Sequence, residues 1–114
     1  MSILFVTHDI SVAYAVADRF LVLYAGEISE VGPAPKVEKS PLHPYTRALI
    51  DSVPTKSRKE GRLNTIPGST PNMLSPPEGC RFHPRCPMVM DVCRAHSPKF
   101  VDRDERSLRC FLYE

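Results

Sequence analysis

The chain has 114 residues, enough for one domain or part of one, and its 42% hydrophobic and 25% charged content excludes full disorder and fibrous repeats. Its twelve prolines are well above ordinary usage, and a net charge of +2 leaves little electrostatic footprint for nucleic acid. The longest apolar run, residues 20–25, is far too short to cross a bilayer, and no basic region or cleavage site marks a signal peptide at the start, so a cytoplasmic chain is the default expectation.

Charge and proline are unevenly spread. Residues 1–53 hold four Lys or Arg against six Asp or Glu, and four prolines; residues 54–114 hold eleven against seven, and eight prolines. All four cysteines, Cys80, Cys86, Cys93 and Cys110, fall in the second part. A boundary near Pro54 is predicted.

Residues 3–6 (ILFV) form a continuous apolar run rich in branched side chains, which predicts a parallel strand buried on both faces and ending at Thr7, His8 and Asp9. Ile10, Ala13, Tyr14 and Ala17 then fall at helical spacing, with Asp9 placed to cap the helix. Residues 20–24 (FLVLY) predict a second buried strand. Ala25-Gly26 is a tight-turn signal, and residues 27–31 would pair back as a more polar edge strand. Residues 35–39 suggest a short helix. A stronger one starts after His43, because Pro44 suits a first helical position, with Tyr45, Ala48, Leu49 and Ser52 along one face.

Residues 54–62 (PTKSRKEGR) read as a solvated basic linker. From there prolines exclude regular helix as far as residue 79, leaving a possible short strand at residues 63–66, a one- to two-turn helix at residues 88–93, and a strand-like stretch at residues 107–113.

The stretch VTHD at residues 6–9, followed by AVADRFLVLYAGEISEVG, resembles the end of an ATP-binding cassette (ABC) ATPase domain. The resemblance implies that His8 is the switch histidine, which meets the γ-phosphate of ATP; a histidine at a strand's C-terminal end is chemically suited to that contact. No phosphate loop, no LSGG-type signature and no apolar run ending in Asp-Glu is present, so ATP and Mg²⁺ are expected only in an intact subunit, and Met1 reads as an introduced start. Cut from their sheet, residues 3–6 and 20–24 would expose apolar edges and favour self-association.

Residues 41–49 (PLHPYTRAL) resemble the HPYT signature of the oligopeptide and dipeptide branch of these importers, whose ATPase subunits end in a Pro-rich, cysteine-containing extension like GCRFHPRC at residues 79–86. This implies peripheral attachment at the cytoplasmic face of the membrane, partnership with a second ATP-binding subunit and with membrane subunits, and no nucleic-acid partner. The expected architecture is an α/β fragment over residues 1–53, the basic linker, and a small irregular α+β extension over residues 63–114.

The cysteine spacing, C-x5-C-x6-C-x16-C, matches neither common zinc knuckles nor ferredoxin patterns. Four thiolates within 31 residues can nevertheless close one metal site, which would supply folding energy to a segment poor in apolar side chains. Arg81, Arg85 and Arg94 are placed to offset thiolate charge. The family resemblance implies a four-iron, four-sulfur cluster on Cys80, Cys86, Cys93 and Cys110; zinc and free thiols stand as alternatives, while His83 and His96 read as turn residues before ligands. His43 and Tyr45 read first as local architecture, then as a surface for the ATPase core or its partner. A competing function is a stand-alone metal-containing module that binds nucleic acid through Lys56, Arg58, Lys59 and Arg62, though that run lacks interleaved aromatics. A small hydrolase built on His8 or a cysteine lacks a nucleophile, base and orienter set.

Overall fold

The computed structural model describes residues 1–53 and 66–114. The basic linker and nearly all of the short strand expected at residues 63–66 lie outside the described residues. Helix α1 (Ile10–Val16) forms as its spacing predicts. The Asp9 carboxylate accepts hydrogen bonds from the amides of Ser11 (3.0 Å) and Val12 (3.3 Å), two donors that the first turn cannot satisfy internally.

Strands β1 (Arg19–Tyr24) and β2 (Glu27–Pro33) form an antiparallel hairpin. Its turn holds Ala25 and Gly26 at φ 49° and 80°, the mirror-image geometry that matches the right-handed twist of paired strands. Helix α2 (Ala34–Lys39) follows directly, and α3 (Pro44–Asp51) starts at the expected proline. Beyond the gap, a 3₁₀ turn (His83–Arg85) and the short helix α4 (Asp91–Ala95) carry the cysteine segment; α4 sits a few residues later than the pattern at 88–93 suggested. Strands β3 (Phe100–Arg103) and β4 (Arg106–Arg109) form a second hairpin, and a 3₁₀ turn (Phe111–Tyr113) ends the chain.

The four strands make one antiparallel sheet in the order β1-β2-β4-β3, with Glu30 opposite Leu108 and Val31 opposite Ser107. Three expectations are thereby corrected. The parallel strand at residues 3–6 is not formed: that segment has no regular structure, and Ile3, Leu4 and Val6 are largely exposed, because no neighbouring strand is present among the described residues to complete its ladder. The expected α/β sheet is instead a small α+β arrangement whose sheet is antiparallel throughout. Strand β2 is not an edge, since β4 pairs with its free side.

Strand β1 reads from its sequence as a buried strand, and only one of its faces is covered. Phe20 and Val22 are partly covered and Tyr24 is buried, whereas Leu21 and Leu23, pointing the other way, are 51% and 56% exposed. The core is correspondingly small, centred on Val37, Leu108, Phe82, Tyr24 and Ala34.

Candidate functional site

The HPYT segment and the cysteine segment meet at one aromatic cluster. Tyr24 from the end of β1 lies 4.6 Å from the ring of Tyr45 and 5.1 Å, edge-on, from Phe82. Tyr45 and Phe82 are 5.4 Å apart, and His43 is 5.9 Å from Phe82. Such tilted and edge-to-face pairs are favoured by the ring quadrupoles. Residues from three regions of the sequence, β1, HPYT and GCRF, thus share a single packing unit.

His43 is almost fully buried and acts as the N-cap of α3, its Nδ1 accepting from the amide of Tyr45 at 3.0 Å. With Nδ1 accepting, the proton sits on Nε2 and the ring is neutral. Burial lowers its pKa from 6.5 to about 4. His43 and Tyr45 therefore have local architectural roles, as the sequence first suggested.

The four cysteines come from separate stretches of chain and line one cavity, together with Phe82, Met88 and Phe111. All four are free thiols, and Cys93 is buried. Gly79 makes the approach possible. It holds φ 74°, and a side chain there would collide with the backbone of Cys93 and Arg94, just where the amide of Cys80 donates to the Cys93 carbonyl at 2.8 Å. Burial pushes the thiols of Cys80 and Cys86 up, and Cys110 up to about 11, with neighbouring cysteines adding to the effect. These thiols stay protonated at neutral pH and are not activated nucleophiles.

The four cysteines thus share one cavity, but among the described residues no group of three or more His, Cys, Asp or Glu side chains stands ready to hold a metal ion. The donor chemistry suits a thiophilic centre while the side-chain arrangement is not a preformed one. His83 lines the same cavity, its Nδ1 2.8 Å from the Cys80 carbonyl, and His96 is exposed. Arg81 and Arg85 do not face the thiols as charge partners. Arg81 donates to the Ala25 carbonyl at 2.5 Å and pairs with Glu27 at 3.4 Å; Arg85 donates to the Pro67 carbonyl at 2.9 Å and to the Tyr24 hydroxyl at 3.3 Å. Both arginines tie the cysteine segment to the first hairpin.

His8 is exposed in a bend immediately before the α1 cap. It belongs to neither the aromatic cluster nor the cysteine cavity. Sequence reasoning missed Glu30 and Arg106, whose side chains are 0% and 2% exposed and stand 3.6 Å apart. A charged residue in an alternating strand reads as solvent-facing, and only the pairing of β2 with β4 reveals otherwise. No helix among the described residues is long and apolar enough to cross a membrane.

Comparison with known proteins shows the family. The chain is 44% identical to the dipeptide transport ATP-binding protein DppD of Caldanaerobacter subterraneus, a match covering all of this chain and 35% of that protein. It is 43% identical to the oligopeptide transport ATP-binding protein AppD of Bacillus subtilis over 99% of this chain and 35% of the relative. The di/tripeptide transport ATP-binding protein DppF of Pseudomonas aeruginosa is also 43% identical, over 93% of this chain and 33% of its own length. The chain thus spans about a third of the length of the curated relatives it matches. Residues 29–93, more than half of the chain and including HPYT and three of the four cysteines, match the family described as oligopeptide/dipeptide transporter, C-terminal region, and the chain belongs to that family.

Proposed function

We propose that this chain is the C-terminal part of the ATP-binding subunit of a peptide ABC importer, contributing a switch histidine, His8, and a regulatory or assembly extension, and not catalytic alone. The observation that carries this reading is the match of residues 29–93 to the transporter C-terminal region, continued over nearly the whole chain by relatives named as peptide-transport ATP-binding proteins. In the intact subunit ATP and Mg²⁺ would be bound by sequence outside this chain together with His8, whose imidazole can donate a hydrogen bond to a γ-phosphate oxygen. The partners are a second ATP-binding subunit and the membrane subunits, which places the protein peripherally at the cytoplasmic face. The exposed face of β1, with Leu21 and Leu23, and the apolar residues 3–6 are the surfaces such an assembly would cover; in isolation they favour self-association.

The test is His8→Ala in the intact subunit. Steady-state ATP turnover should fall by about 10²-fold or more, the scale of removing one donor aimed at transition-state charge, while nucleotide binding is largely retained. Unchanged turnover overturns the role of His8.

For the cavity, the reading is a four-iron, four-sulfur cluster on Cys80, Cys86, Cys93 and Cys110, supported by the convergence of four thiols beside apolar side chains. When bound it would add folding energy to a segment with little core of its own. Anaerobic purification with iron and sulfide analysis and a visible spectrum tests it; stoichiometric zinc without a visible band overturns it.

A further inference from the structure

Helix α3 starts against a carboxylate that belongs to another element. Glu30, fully buried in β2, accepts from the amide of Leu42 at 3.2 Å and from that of His43 at 2.9 Å. A carboxylate here satisfies amides on the approach to the helix and meets the positive end of its dipole. A buried carboxylate persists only with a partner. That partner is Arg106 of β4, 3.6 Å away.

Arg106 is itself held from the other side, donating to the carbonyls of Lys36 (3.2 Å) and Ser40 at the end of α2. Its stem passes over Gly32, where any side chain would collide with it. A further contact comes from the same stretch of chain. The Tyr113 hydroxyl donates to the Leu42 carbonyl at 2.9 Å. Residues 106–113 therefore grip the approach to α3, from Lys36 to Leu42.

We propose that residues 106–113 are the docking partner of the HPYT helix start, and that Glu30 is the positioning residue which turns docking of this tail into order at residues 42–45. With Arg106 in place, the carboxylate stays inside and caps the helix approach. Without it, the carboxylate turns to water and those amides lose their acceptor. Nothing in this depends on nucleotide, metal or transporter partners.

Amide hydrogen exchange on the full chain tests the proposal. The charge-swapped double variant Glu30→Arg with Arg106→Glu keeps opposite charges facing each other but offers Leu42 and His43 no acceptor. Exchange at Leu42, His43 and Tyr45 is expected to rise by about tenfold or more while β1 stays protected, a local opening rather than a global one. Tyr113→Phe, which keeps the ring and removes one hydroxyl, should raise exchange at the same amides by about threefold to tenfold. Wild-type protection at residues 42–45 in the swapped protein would mean that the ion pair alone matters, and would overturn the positioning role. So would an equal loss in β1 and at residues 42–45 in the Tyr113→Phe protein, or no change in either; should the swapped protein not fold, that single variant decides.

Discussion

The two strands of the first hairpin invert the usual rule of what lies inside. On the outer face of β1, Leu21 and Leu23 are more than half exposed, and α1 buries none of its residues, whereas on β2 a glutamate is buried completely against an arginine. The difference lies in what each region finds within this chain. Glu30 meets two amides and a guanidinium, so its burial is satisfied group by group. Leu21 and Leu23 need only area, and no element among the described residues supplies it. Satisfied burial marks a finished interface, and an apolar face without cover marks an unfinished one.

The sharpest way to break this comparison is to strand the buried carboxylate. Arg106→Met keeps much of the stem but leaves Glu30 unpaired, and is expected to cost about 3–5 kcal/mol, read as a lowered urea midpoint. A loss near zero would mean that the anchor contributes nothing to the fold.

Acid is the next largest lever. Burial holds the pKa of His43 at about 4 in the folded chain, below its ordinary 6.5, so the unfolded chain takes up the proton first. The stabilisation from the neutral ring is complete above about pH 6.5, declines as pH falls, and is gone below about pH 4, a loss on the order of 3 kcal/mol at about 1.4 kcal/mol per pK unit. Urea unfolding at pH 7 and pH 4, compared with His43→Asn, whose side chain can still accept from the Tyr45 amide, isolates this group; parallel pH profiles would show that His43 does not carry the acid sensitivity.

The smallest effect belongs to the other region. Leu21→Ser with Leu23→Ser should cost the isolated chain no more than about 1–2 kcal/mol, since each side chain is already more than half exposed, while reducing self-association in light scattering. A large destabilisation would show that this face is covered after all.

Local signals were legible in the sequence. Asp9, Ala25-Gly26, Pro44 and the spacing of Tyr45 gave α1, the first turn and α3, because each acts within a few residues of itself. The HPYT motif gave the family, and the four cysteines line one cavity without forming a ready metal-holding group among the described residues. The second hairpin was not foreseen, although residues 107–113 read as strand-like. Its turn places Asp104 and Glu105 at φ 53° and 62° without a glycine, so the usual turn signal is missing. Strand order was equally hidden: residues 3–6 carry a strand's composition, but a ladder needs a neighbour that periodicity cannot name. The uneven charge distribution now has a use, since Glu27 and Glu30 from the acidic part meet Arg81, Arg109 and Arg106 from the basic part.

Arg106 also orders charge along a line. It bonds the carbonyls that close α2, the partly negative end of that helix, while Glu30 faces the partly positive start of α3. Along this path the signs alternate, from helix end to guanidinium to carboxylate to helix start, while the guanidinium also meets the exposed Asp104 carboxylate at 3.2 Å. The buried part of this path, Arg106 with Glu30, is shielded from water and little affected by dissolved ions. The exposed bridges from Lys36 to Asp104 and Glu105, at 3.0 Å and 3.2 Å, are open to screening. Rising ionic strength should therefore weaken the hold of Lys36 on the Asp104-Glu105 turn first and leave the buried pair of Arg106 with Glu30 in place.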